Sequence, residues 1–257
     1  MRMPVGFVSH GAPTLALDTE ARGAELRAWG RSMPRPRAIV CVSAHWLARD
    51  VFTGVEETAP LLYDFAGFPR ALHDVEYRAP GSPEIAARVR SLVEGARAEA
   101  KRPWDHGVWV PLVHMYPDAE IPVVQVALVL RAGPAGWLAL GRALAPLRDE
   151  GVLVIGSGGI VHNLGRLAWE GEGATEAWAS EFDAWITRAL DDGRVDDVAE
   201  AVTRAPTGRM AHPTYDHFAP LVVAAGAASA DGAMKVARYP LVGFEMANLG
   251  MRAIEFA

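Results

Sequence analysis

The chain has 257 residues, with 25 Lys+Arg against 31 Asp+Glu, and its net charge is −6 with the eight histidines neutral. That balance, with no Lys/Arg run, excludes a general nucleic-acid binder, which needs a basic face to neutralise phosphates. A composition 51% hydrophobic and 22% charged lies outside the disordered class, and one cysteine excludes a disulfide framework and Cys-based zinc ribbons, so histidine and carboxylate must hold any transition metal.

The first residues, Met1-Arg-Met-Pro-Val-Gly-Phe-Val-Ser-His10, have too short an apolar run and no small-residue cleavage site for a signal peptide. No stretch approaches 18 uncharged apolar residues, so a cytoplasmic chain without a membrane partner is expected. A strand is read over 3–8 and runs directly to His10; a helix is read over 20–31. A second strand over 37–43 leads to His45, and a weaker one follows near 51–55. Next come a helix over 83–98, a glycine-containing loop with His106 before a further helix, and a strand over 121–128. A helix over 134–148 precedes a strand over 151–156, which runs through Gly156-Ser-Gly-Gly to His162. The remainder reads as helices over 177–190 and 215–225, with His217 in the first turn of the second, and a weak strand near 234–239.

Strands that alternate with helices and are apolar throughout predict an α/β fold, with a mainly parallel central sheet flanked by helices. No linker, charge block or repeat divides the sequence, so residues 1–257 are expected to form a single domain. In such sheets the active site lies at the carboxyl ends of the strands. His10, His45 and His162 all fall at that edge. A lone histidine after a strand is ordinarily a satisfied structural or surface residue, but three at one edge can converge on a metal. The small residues around each leave space for a ligand.

His217 lies in Pro213-Thr-Tyr-Asp-His217-Phe-Ala-Pro220, where the field of a helix start disfavours imidazolium and keeps the ring available as a ligand; the alternative is a solvent-facing histidine. His106, between Trp104 and Trp109, is either a candidate acid/base group or a plain loop hydrogen-bonder. His73 and His114 sit inside helical patterns and read as packing or surface residues, His212 is undecided, and Cys41 reads as a buried small hydrophobe. Gly156-Ser-Gly158 lacks the third glycine of a dinucleotide fingerprint, and Ile155 occupies the first glycine position of a nucleophile elbow around Ser157. Neither a phosphate-binding Gly-x-x-x-x-Gly-Lys loop nor a His-Glu-x-x-His helix is present.

Eight segments follow one another along the chain: Ser9-His-Gly-Ala-Pro-Thr14, Val42-Ser-Ala-His-Trp46, Tyr63-Asp-Phe-Ala-Gly-Phe-Pro69, Tyr77-Arg-Ala-Pro-Gly81, Asp105-His-Gly-Val-Trp-Val-Pro111, Met115-Tyr-Pro-Asp-Ala119, Gly156-Ser-Gly-Gly-Ile-Val-His-Asn-Leu164 and Asp216-His-Phe-Ala-Pro-Leu221. Together they resemble the class III, LigB-type, extradiol ring-cleavage dioxygenases, in the branch of DOPA 4,5-dioxygenase. The resemblance implies a mononuclear non-haem metal and cleavage of a catechol beside its two hydroxyls, with a small-molecule catechol and O2 as the partners. It places His10, His45, His162 and His217 at the metal site and His106 beside the substrate. The wider superfamily binds iron through two histidines and a glutamate and uses the histidine resembling His162 as a base. No glutamate here matches clearly, Glu245 in Gly243-Phe-Glu-Met being the acidic neighbour. His162 is therefore expected either as a ligand or as the catalytic base.

Neutral imidazoles suit Fe(II) and Zn(II) alike. Extradiol cleavage needs a redox-active metal, so Fe(II) is expected for activity, with Zn(II) as an alternative occupant. Phe65, Trp46, Trp109 and Tyr215 are candidate walls of an aromatic pocket. Two other classes stay open at this point: a zinc hydrolase that activates water, and a non-catalytic metal-binding protein on the same fold. The sequence carries no sign of the assembly state.

Overall fold

The computed structural model describes residues 2–169 and 173–257. Its strands are β1 (Val5–Ser9), β2 (Ala38–Leu47), β3 (Phe52–Gly54), β4 (Arg97–Glu99), β5 (Val123–Leu128), β6 (Val152–Gly158), β7 (Val236–Leu241), β8 (Phe244–Glu245), β9 (Leu249–Gly250) and β10 (Ala253–Phe256). Eight form one sheet in the order β4-β3-β5-β2-β6-β1-β10-β7, while β8 and β9 form a separate hairpin. The central run β5-β2-β6-β1 is parallel throughout, and β10 and β7 add an antiparallel edge. Parallel strands need crossovers, and these bring helices onto both faces.

Burial on both faces explains the unbroken apolar runs. Along β2, Ala38, Val40 and Val42 enter one core while Ile39 and Cys41 enter the other. Along β6, Val152 and Val154 face the first core, and Leu153 and Ile155 the second. The first core packs under α2 (Pro83–Leu92), α4 (Gly133–Leu144), α5 (Ala177–Asp191) and α9 (Ala219–Ala228); the second packs under α1 (Arg22–Ser32) and α3 (His106–Met115). Three short helices, α6 (Val195–Ala199), α7 (Ala201–Arg204) and α8 (Gly208–Ala211), lead from α5 towards α9. Nine of the ten residues of α9 are buried, which suits a helix apolar on all sides. Cys41 is fully buried, and desolvation pushes its thiol well above its ordinary pKa, so it is an inert core residue.

Several boundaries differ from the sequence reading. The helix expected over 83–98 stops at Leu92; the chain turns at Gly95, whose φ of 73° glycine adopts readily, and enters β4. β10 was not anticipated, because four residues entering beside β1 carry no periodicity of their own. β2 continues to Leu47, so His45 lies within the strand rather than after it. His106 begins α3, and His217 precedes α9 by two residues instead of standing in its first turn. Among the described residues, no helix is long and apolar enough to cross a membrane.

Candidate metal centre and active site

Backbone geometry delivers three histidines to one point. His10 follows β1 directly, His45 stands two residues before the end of β2, and His217 sits where the chain approaches α9. That approach is close: a Cβ on Gly158 would lie 2.1 Å from the His217 carbonyl oxygen, and the Gly159 N–H donates to the same oxygen at 2.9 Å. Gly156 similarly meets the Pro220 carbonyl, at 2.2 Å from a built Cβ. These two glycines therefore admit a neighbouring backbone, not a ligand.

His10, His45 and His217 each offer a ring nitrogen, all within 4.8 Å of one another. The Nε2 atoms of His10 and His45 are 3.1 Å apart. His217 Nδ1 donates to the Asp216 carboxylate, which leaves its Nε2 bare. Burial, then the neighbouring imidazoles, pushes His10 well below its ordinary pKa and His45 down to about 3. Convergent ring nitrogens, one of them on a ring backed by a carboxylate, are the donor set of a divalent transition metal. His45, Asp64 and His106 form a second close group. It is the poorer cation site, because Asp64 Oδ1 already accepts from both the backbone N–H and Nδ1 of His106, at 3.1 and 2.8 Å.

His162 takes a different position from the other three. Its ring lies flat on that of His217, with centroids 3.5 Å apart and planes 4° from parallel, and it lies outside both groups. Burial, then the proximity of His217, lowers its pKa, so it too is neutral. It lines the cavity, as His106 does.

Sequence reading missed the carboxylates behind these rings. Asp64 tethers His106 and satisfies an N–H of the first turn of α3, where the helix dipole favours an anion. Its own burial raises its pKa, but the bonds from His106 outweigh this and hold it at about 2. Asp105, fully buried, accepts from Ser43, Arg102 and Gln125, and Arg102 also donates to the His45 carbonyl at 3.2 Å. This network ties the end of β2 to the start of α3, and so His45 to His106. The available signal was adjacency, since Asp64, Asp105 and Asp216 all fall inside motif segments.

The cavity above the histidines has a volume of about 230 Å³. Its wall is apolar, including Phe65, Phe68, Leu164, Leu167, Trp169 and Met246. Of the four expected aromatic walls, Phe65 alone takes part. Trp46 lies under the Arg102 guanidinium at 4.9 Å; Trp109 is fully buried, with Nε1 on the Leu62 carbonyl; Tyr215 packs on Trp137. Glu245 pairs with Arg22 at 2.6 Å and belongs to neither ligand group. His114 and His212 are buried, with Nε2 on the carbonyls of Leu15 and Ile160, and His73 is exposed beside Tyr63.

Comparison with known proteins places this geometry. The profile of a family described as the catalytic LigB subunit of aromatic ring-opening dioxygenase matches residues 7–247. A 4,5-DOPA dioxygenase extradiol of Beta vulgaris is 41% identical over 230 residues, covering 86% of this chain and 85% of its own. One of Escherichia coli strain K12 is 37% identical over 260 residues, covering 99% of this chain and 94% of its own. The crystal structure of an uncharacterized protein from Escherichia coli K12 superposes with a TM-score of 0.85 at 32% identity, covering 99% of both chains.

Proposed function

The chain belongs to the family of the LigB catalytic subunit of aromatic ring-opening dioxygenases, and on that premise we propose that residues 1–257 act as one catalytic domain that opens a catechol-type ring by extradiol cleavage. The convergence of the His10, His45 and His217 ring nitrogens on the cavity floor carries this reading. The family is metal-dependent, and these three residues would hold the ion. Bound there, Fe(II) would supply the redox-active centre that ring opening by O2 needs, which redox-inert zinc would not. The single, buried cysteine suits a reducing cytoplasm.

Each substrate molecule consumes one O2. The ring C–C bond beside one hydroxyl-bearing carbon breaks, each carbon of that bond gains one oxygen atom, and the product is a ring-opened semialdehyde. His162, neutral and lining the cavity, takes a hydroxyl proton as the catechol binds. Its stacking on His217 orients the ring in the cavity. His106, held through Nδ1 by Asp64, turns the rest of its ring to the cavity and exchanges a proton with the oxygen atoms of the reacting substrate.

The test is to load the protein with Fe(II) and follow O2 uptake with a panel of catechols. Stoichiometric uptake with a yellow semialdehyde supports the reading. No uptake with any catechol overturns it, and O2-independent turnover with Zn(II) would mark a hydrolase instead.

A further inference from the structure

Pro111 stands at the sixth position of α3, in the interior of the helix, where it has no N–H to give to the carbonyl four residues back. That carbonyl is Gly107 O, and a buried polar group left unpaired there is costly. Its donor comes from another element: Ser157 Oγ, at the end of β6, donates to Gly107 O. A serine hydroxyl has a single hydrogen. With that hydrogen committed to Gly107 O, the 2.9 Å contact between Ser157 Oγ and His10 Nδ1 has only one polarity, and His10 Nδ1–H donates to the serine lone pair. Nε2 is then the ring nitrogen left for a metal, the atom 3.1 Å from His45 Nε2.

We infer that Pro111, Gly107 O and Ser157 form a relay that fixes the tautomer and orientation of His10, and that Ser157 is thereby a positioning residue for the metal centre. The three parts come from α3 and β6, whereas the ligand follows β1, so the relay also holds the ligand in register across the sheet. It does for His10, without charge, what the Asp216 carboxylate does for His217. Gly107 is required at its place, because a Cβ there would lie 2.4 Å from Ser43 Oγ and 3.1 Å from the His45 ring.

The inference rests on the reading of His10 as a ligand, so the experiment separates the two. Zn(II) affinity of the full chain is measured by chelator competition in wild type, His10→Ala, Ser157→Ala and Pro111→Ala. His10→Ala reports on the ligand reading alone: unchanged affinity there overturns that reading and the relay with it. With His10 established, Ser157→Ala is expected to lower affinity by about 10- to 100-fold, the usual range for losing a partner behind a metal-binding imidazole. Pro111→Ala restores a helical N–H that competes for Gly107 O, and is expected to lower affinity by a few-fold while leaving the thermal midpoint unchanged or higher. General destabilisation would move both quantities downward together. In 15N-labelled, zinc-loaded protein, His10 is expected to show a slowly exchanging Nδ1–H that exchanges freely in Ser157→Ala. Wild-type affinity in Ser157→Ala, or a His10 proton on Nε2 in the metal-free protein, overturns the relay.

Discussion

His162 lies face to face with His217, at a 3.5 Å centroid distance, so the ring proposed for proton transfer is packed directly on a ring proposed to hold the metal. A phenylalanine preserves that stack and removes both nitrogen atoms. His162→Phe is expected to bind iron at wild-type stoichiometry and to lose about 10²- to 10⁴-fold in kcat, measured by elemental analysis beside O2 uptake. Loss of the metal in that variant would make His162 a fourth ligand.

The tether from Asp64 to His106 gives a second expectation. Asp64→Asn keeps an oxygen acceptor for the His106 N–H and removes the charge, so metal content and fold should persist while kcat falls about ten-fold or more. Asp64→Ala also removes the partner of a first-turn N–H and is expected to cost about 1 kcal/mol of stability, read from a urea transition. Full kcat in Asp64→Asn would show that the contact only caps α3.

Leu164 and Trp169 border the cavity and remain 51% and 61% exposed, which leaves apolar surface for a ring substituent to cover. Along a series of 4-alkylcatechols, kcat/KM is expected to rise about two- to four-fold per added methylene. Trp169→Ser should flatten that rise. A series without dependence on chain length would place the substituent away from this wall.

His212 supplies a pH dependence. Its complete burial, partly opposed by the bond to the Ile160 carbonyl, pushes its pKa down to about 4. An unfolded histidine titrates near 6.5, so between the two values the unfolded chain binds a proton that the folded chain does not, and stability falls as pH drops through that window. Between pH 7 and pH 5 the loss from this residue is about 2 kcal/mol. Urea midpoints at the two pH values should therefore differ, and His212→Gln should reduce the difference; an equal slope in that variant would rule His212 out as its source.

Much of the fold was legible because its signal is local. Strands buried on both faces read as unbroken apolar runs, and the parallel centre β5-β2-β6-β1 follows from their alternation with helices. His10 and His45 were legible as site residues because the carboxyl edge of such a sheet collects ligands. β10 and the start of α3 at His106 were not, since a four-residue edge strand and a helix containing Gly107 and Pro111 owe their form to neighbours rather than to propensity.

The sequence by itself determined an α/β chain of a recognisable family, with a set of histidines and no competing cysteine, nucleotide or nucleophile motif. Tertiary structure decided how those histidines divide: three ring nitrogens converge, one ring stacks on its neighbour, and one is tethered to a carboxylate 42 residues away. Ring orientation and tautomer depend on hydrogen bonds between elements distant in the chain, such as Ser157 on β6 with Gly107 on α3. Residue spacing does not encode those contacts.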